Sequence, residues 1–436
     1  MMVEIARKGY FLCCLKINPT KKMTKQKNKT LWEKTRKFLN DIHLWAGLIS
    51  GIVLLVVCLT GTIYVYNTEI REWNASHLYK VSNDGLPRLS PNELLDKNRE
   101  LIEGNITGVR ISSDAERSFQ ISARAKGDKS RSGTTYFVNP YTGEMLGNSK
   151  EENAAVTFMG YMFSLHRWLL LDKIEEPIFE GLENRKLGSY ITGASTILFT
   201  IGVLTGIVIW VPRKAKYWRQ GLKVKLSGNW KRINHDLHNS LAFYSAIILF
   251  LMGVTGPFFS FPWYREALQK SLGTYKERSV GGHGPAAAAQ GKGEGEKKRQ
   301  EKVEVLPLED YLYSADQVLD YEGEYTLSLP KNGGKTISVS KTKAGFFAPA
   351  ASDKLVLDVA SAEVVEADIF KEKPLNERIS GSIKALHLGN VYGSFSKLLY
   401  FISCLIATSL PVTGTLIWIN KMKKPKKKNK KKAQLV

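Results

Sequence analysis

Four apolar stretches, at about residues 44–66, 188–211, 238–262 and 394–419, decide what this chain can become. Each is long enough to cross a hydrocarbon core of about 30 Å, which takes roughly 20 helical residues. In lipid every backbone N–H and C=O has to be satisfied inside its own segment, so each stretch must be a helix. The polar segments between them are long enough to fold in water, which gives an α-helical membrane protein with four transmembrane helices and aqueous domains.

The net charge of +22 would suit a nucleic-acid surface, but its placement argues for no nucleic acid. Lysine and arginine crowd residues 7–37, 213–232 and the tail from Lys421. These segments flank spans and fall on one side if the spans alternate; the basic residues of 292–302 are mixed with glutamates. The positive-inside rule then puts both termini and the 213–232 loop in the cytoplasm, leaving 67–187 and 263–393 outside. The basic segments face membrane lipid. Of the four cysteines, Cys13 and Cys14 fall on the cytoplasmic side and Cys58 and Cys404 in spans, so no exterior disulfide framework is expected. No cleavable signal is evident, so the first span serves as an uncleaved anchor, with Met1 or Met23 as the start.

The resulting division is 1–37, a basic N-terminus; 38–66, the first span; 67–165, an exterior domain; and 166–211, an exterior loop and second span. It continues with 212–234, a basic cytoplasmic loop; 235–262, the third span; and 263–385, a second exterior domain with a flexible glycine-rich stretch at 279–303. The fourth span is 386–419 and the lysine-rich tail 420–436.

The first and third spans match each other. His43 precedes Gly61, and His238 precedes Gly256, by the same 18 residues, which is five helical turns, so histidine and glycine share a face. Small residues lie between them at matching offsets, Gly47 with Ala242 and Ser50 with Ser245. An imidazole above a smooth stripe inside a membrane bundle suits a planar metal cofactor. The second and fourth spans match at LTGIVIWVPRK and VTGTLIWINKM, where Trp210 and Trp418 fit an interfacial aromatic belt. The exterior domains also correspond. A helix at SPNELLDKNRELIEG, opened by a Ser90/Glu93 capping box, precedes strands at 106–112, 118–124 and 135–139 and the turn NPYTGE. A helix near 307–319 precedes strands near 324–329, 336–341 and 354–359 and the turn DVASAE, in which Ala362 replaces Gly143. The chain therefore reads as two repeated units, each with two spans enclosing a small α+β exterior domain.

Spans beginning at histidine and ending in Thr-Gly, around domains with a V-N/D-P-x-T-G-E strand-turn, resemble the PepSY-associated transmembrane family over about residues 35–420. Its members include bacterial inner-membrane proteins linked to iron uptake, among them siderophore reductases that carry haem between their helices. The resemblance implies haem binding and iron-linked electron transfer, with PepSY-like periplasmic domains.

Placed by topology, His43 and His238 lie at the cytoplasmic ends of their spans, and His166 and His387 at the exterior side before the second and fourth spans. Two bis-histidine sites, each holding one haem b, would link the two membrane faces. The segment LDKIEEPIFEGLE after His166 argues for a separate short helix there. His235 shares a face with His238 and is expected beside the ligands or near an electron donor; His77 reads as surface, and His283 sits in the glycine-rich stretch. Gly61 and Gly256 fall at the exterior level and Gly206 and Gly414 at the cytoplasmic one, serving either haem clearance or helix packing. Gly414 is out of phase with His387 on a straight helix, a conflict that a kink at Pro411 would relieve. Arg167, with Arg185, Lys186 and Lys384, neutralises propionates or meets headgroups.

Two functions compete. In the first, electrons from a cytoplasmic protein or the quinone pool pass through two haems to a ferric siderophore or other iron chelate outside, near the aromatic Phe258–Tyr264 segment, with no catalytic residue defined. In the second, the exterior domains bind a protein or peptide and the chain is a non-enzymatic regulator. No GxGxxG follows a strand, and neither a P-loop nor HExxH occurs.

Overall fold

The computed structural model describes residues 30–83, 85–128, 133–212, 218–277, 305–330 and 334–423. Cys13, Cys14, Met23, the 279–303 stretch with His283, and the tail beyond 423 lie outside the described residues.

Helix α1 (Leu31–Tyr64) opens on a reciprocal cap between Thr30 and Glu33. After α2 (Asn67–Asn74) and α3 (Ser76–Tyr79), α4 (Pro91–Asn98) carries the Ser90/Glu93 box that the sequence predicts. Strands β1 (Asn105–Ile111), β2 (Phe119–Arg124), β3 (Thr134–Val138) and β4 (Met145–Asn148) lead to α5 (Ala154–Trp168), α6 (Asn184–Trp210) and α7 (Trp218–Gly221). Then come α8 (Trp230–Thr255), α9 (Pro257–Ser260), α10 (Pro262–Ser271) and α11 (Leu308–Val318). Strands β5 (Gly323–Ser328), β6 (Thr336–Lys343), β7 (Ser352–Asp358) and β8 (Val364–Asp368) precede α12 (Leu375–Gly381), α13 (Ile383–Leu388) and α14 (Gly393–Met422).

Helices α1, α6, α8 with α9, and α14 are long and apolar enough to cross a membrane. Their principal contacts run α1–α6–α8–α14 and back to α1, so α1 and α8 stand on one diagonal and α6 and α14 on the other. Hydroxyls on these helices are satisfied within their own backbone: Thr60, Thr205, Thr255 and Thr413 each donate to a carbonyl one turn back.

Helix α5 packs on α1 and α6, and α13 packs on α8. His166 therefore stands on a separate helix, as its following segment suggests. His387 does too, contrary to a continuous fourth span over 386–419. Helix α13 stops at Gly389 (φ 79°), where any side chain would collide with the Tyr400 ring, and α14 starts only at Gly393. The phase conflict between His387 and Gly414 disappears, because the two never share a helix.

The aqueous part differs from two separate exterior domains. All eight strands form one antiparallel sheet, ordered β4-β3-β2-β1-β5-β6-β7-β8. At its centre β1 pairs with β5, Val109 lying opposite Leu327. A four-stranded half would leave β1 as an unpaired apolar edge, and the seam removes that liability. It also merges the two cores, with α4 (Leu94, Leu95) and α11 (Leu308, Tyr311, Ala315) lying over Val109, Ile121, Leu327, Val339 and Leu357. Strand β8 has no counterpart in the sequence reading. The second turn, degenerate by sequence, keeps the shape of the first: Asn139 N donates to Glu144 O and Asp358 N to Glu363 O, both at 2.9 Å. Gly143 and Ala362 are both left-handed, at φ 76° and 55°. Among the contacts that tie the sheet region to the helices are Leu78 of α3 against Phe137 and Phe347 against Phe395 of α14.

Candidate functional site

The four histidines singled out by position meet in two pairs. At the first level, His43 on α1 faces His238 across the diagonal on α8, their ring centroids 6.4 Å apart. Nδ1 of His43 lies 2.9 Å from the Gly202 carbonyl and 3.3 Å from Thr205 Oγ1, both on α6. Nδ1 of His238 lies 2.8 Å from Thr413 Oγ1 on α14. At the second level, His166 on α5 faces His387 on α13 at 6.3 Å. Here Nδ1 of His166 meets the Val57 carbonyl at 2.9 Å and Thr60 Oγ1 at 3.5 Å on α1, and Nδ1 of His387 meets Thr255 Oγ1 at 3.1 Å on α8.

Each imidazole thus seats on a Thr-Gly dipeptide of a neighbouring helix. The glycine half gives clearance: a Cβ at Gly206, Gly414 or Gly61 would stand 3.1–3.2 Å from Cε1 of His43, His238 or His166, and one at Gly256 3.5 Å from Cε1 of His387. The threonine half fixes the tautomer. A hydroxyl has one proton, and all four threonines donate theirs to their own helix, so each can only accept from the ring. The Gly202 and Val57 carbonyls are acceptors as well. Nδ1 must therefore carry the proton, and Nε2 is left with a free lone pair, the form in which imidazole binds metals.

The spacing within each pair is also informative. With metal–imidazole bonds of about 2 Å and about 1.1 Å from ring centre to nitrogen, a linear His–metal–His unit sets its centroids about 6.3 Å apart. No group of three or more His, Cys, Asp or Glu side chains is gathered among the described residues. The pairs suit a metal whose remaining positions are filled by a macrocycle.

A cavity of about 290 Å³ surrounds the first pair, walled by Leu48, Phe199, Val203, Phe243 and Leu410. Gly47 and Gly202 line it, and a Cβ at either would meet nothing within 4 Å, so these glycines hold space open. Gly193 and Gly253, by contrast, sit hard against Phe261 and Thr200 and serve packing. Trp210 and Trp418 also line the cavity, and Trp210 stacks on Phe243 at 3.9 Å. His235 occupies no Thr-Gly seat: it is exposed at the cavity edge, contacting Asn239 at 3.1 Å with Asp236 3.5 Å away.

Beside the second pair, Arg167 donates to the Phe259 carbonyl at 2.8 Å, and the Phe259 ring lies 5.3 Å from His387. Lys186 is turned to Glu183 at 3.2 Å, and His77 is a surface residue near Glu151. The sequence reading missed the four threonines as seats, although the recurring Thr-Gly was its own signal, and it missed Arg265, whose Nε lies 3.3 Å from the Phe258 carbonyl.

No curated protein matches the chain. The model of the PepSY-associated TM region matches residues 41–421, from the turn before His43 to the end of α14, and this membrane protein belongs to that family.

Proposed function

We propose that the chain is a multi-pass protein of the bacterial inner membrane, both termini cytoplasmic, that holds two b-type haems. It would pass electrons from a cytoplasmic or quinone donor to a ferric siderophore or related iron chelate on the periplasmic side. On this reading the first level is cytoplasmic, the sheet is periplasmic, and the chain is two copies of one unit whose exterior halves have fused at the β1–β5 seam.

The observation that carries the reading is the fourfold recurrence of one arrangement. Four imidazoles, each fixed as the Nδ1–H tautomer by a Thr-Gly seat, stand in two pairs at 6.4 and 6.3 Å. Haem supplies a one-electron couple that needs no change of ligands. The protein does the rest. His43 and His238 would hold the iron of one group, and His166 and His387 that of the other. The threonines keep the rings from turning, and Leu48, Phe199 and Phe243 keep water from the first level. The levels are separated by the 18 residues from His43 to Gly61, about 27 Å along α1, so together they span most of the hydrocarbon core. One electron delivered outside converts Fe(III) to Fe(II), which binds hard oxygen ligands more weakly and leaves the chelate.

The test is the absorption spectrum of detergent-purified protein, oxidised and dithionite-reduced, with a pyridine-haemochrome count. Two low-spin haems per chain, falling to one in H43A or H387A, support the proposal. No haem after hemin reconstitution removes it and leaves the sheet as a binding or regulatory module.

A further inference from the structure

Three arginines from three elements converge beside the second histidine pair. Arg167 ends α5 immediately after His166; Arg185 lies in the first turn of α6; Arg265 lies on α10. Among the described residues their guanidinium groups rest on aromatic faces rather than on carboxylates: Arg185 over Trp168 at 4.2 Å, Arg167 between Trp168 at 5.5 Å and Phe259 at 6.0 Å, and Arg265 over Phe258 at 5.1 Å. Two of them spend one donor each on a main-chain carbonyl, of Phe259 and Phe258. The acidic residues nearest in sequence are committed elsewhere, Glu183 to Lys186 at 3.2 Å and Glu266 to Lys270 at 2.7 Å. Nε of Arg167 is buried with no hydrogen-bond partner among the described residues.

Three like charges gathered with no carboxylate partner among the described residues, one with a buried orphan donor, form an arrangement that an anion would complete. Guanidinium is planar and forked, and so matches a carboxylate two bonds at a time. We infer that Arg167, Arg185 and Arg265 form a carboxylate-binding site at the mouth of the second histidine level. The functional reading above matters only to what bears the carboxylate: a propionate of a tetrapyrrole held by His166 and His387, or an acidic arm of an iron chelate arriving from outside. A lipid phosphate is disfavoured because the Arg167 guanidinium lies between the Trp168 and Phe259 rings with its Nε buried.

Full-length protein in detergent, as wild type and as Arg167→Gln, Arg185→Gln and Arg265→Gln, is titrated with two matched pairs of probes. One pair is hemin and its dimethyl ester; the other is ferric citrate and an uncharged ferric trihydroxamate. The site predicts that wild type prefers the carboxylate-bearing member of at least one pair by tenfold or more, that each glutamine variant reduces the preference, and that Arg167→Lys, which keeps the charge but loses the fork and the Nε donor, retains only part of it. Loss confined to hemin identifies the propionate; loss confined to ferric citrate identifies the chelate. Unchanged binding of the ester or the trihydroxamate shows that the variants are folded. Equal binding within both pairs by wild type, or an arginine dependence seen only with vesicles of anionic phospholipid, overturns the inference. A chain that takes up no haem but binds ferric citrate through Arg265 keeps the site and removes the electron-transfer reading.

Discussion

The threonine seats differ in one way that can be measured. His43 Nδ1 has two acceptors, the Gly202 carbonyl at 2.9 Å and Thr205 Oγ1 at 3.3 Å, whereas His238 Nδ1 has only Thr413 Oγ1, at 2.8 Å, among the described residues. Replacing each threonine by valine keeps its volume and removes its acceptor. When Nε2 is bound to iron, the proton is confined to Nδ1 and cannot be moved to escape the loss; in the empty site the ring is free to take the other tautomer. The penalty therefore falls on the bound state. A buried N–H left unsatisfied costs about 1–3 kcal/mol. At 1.4 kcal/mol per tenfold, Thr413→Val should weaken hemin binding by roughly 5- to 150-fold. Thr205→Val keeps the shorter of two bonds, and its effect should stay within about threefold. The assay is hemin titration of the Soret band in a background where His166 and His387 are both alanine, so that one level alone is loaded. Thr413→Ser should restore binding. Equal losses in the two valine variants, or none in either, would refute the argument that these hydroxyls fix the imidazole proton.

Other outcomes follow from the same geometry. Leucine at Gly47 or Gly202, where no atom opposes a Cβ within 4 Å, should leave the fold intact and fill the cavity, lowering haem content from two to one per chain by pyridine haemochrome. In the sheet, the Lys341 side chain is 4 % exposed and its Nζ lies 2.6 Å from Asp316, which is itself 52 % exposed. Because Asp316 can rehydrate, Lys341→Met should change unfolding stability by about 1 kcal/mol, while Lys341→Ala, which also strips the stem packed against Tyr321 and Tyr325, should cost about 2–3 kcal/mol. Thermal melts followed by circular dichroism separate the two, and equal losses would mean that the charge pair, not the packing, dominates. At the matching turns, Gly143→Ala at φ 76° should destabilise by about 1–2 kcal/mol, whereas Ala362→Gly at φ 55° should be near neutral, strain relief offsetting a lost buried methyl. A melt in which both substitutions act alike would show that the turns do not share a conformation.

What was legible in the sequence was what repeats at helical spacing. Five turns separate His43 from Gly61 and His238 from Gly256, so their shared face follows from periodicity alone, and alternation of the spans then sets each glycine at the level of the other histidine pair. The role of Thr60, Thr205, Thr255 and Thr413 was not legible, because whether a hydroxyl donates or accepts depends on where its one proton goes, and that is settled by the backbone around it. The break between α13 and α14 was hidden for a similar reason: Gly389 reads as one more small residue of a span drawn from 386 until the Tyr400 ring is seen to occupy the space beside it. Arg265 and Arg167 come together only in space. The β1–β5 seam has no local signal, since its two strands lie in different halves of the chain with two spans between them.

That seam also constrains the order of assembly. Strand β1 ends at Ile111 and its partner β5 begins at Gly323, and between them the chain crosses through α6 and α8. As the polypeptide emerges, the first four strands must wait, one edge bare, while two further membrane helices are inserted and the second half reaches the same side. Contacts of such separation are slow to form, and an open edge is a template for self-pairing. A chain stopped after α6 should therefore associate through β1 with copies of itself. In the complete protein, a failure to insert α8 would be felt first in the sheet, far from the helix that caused it.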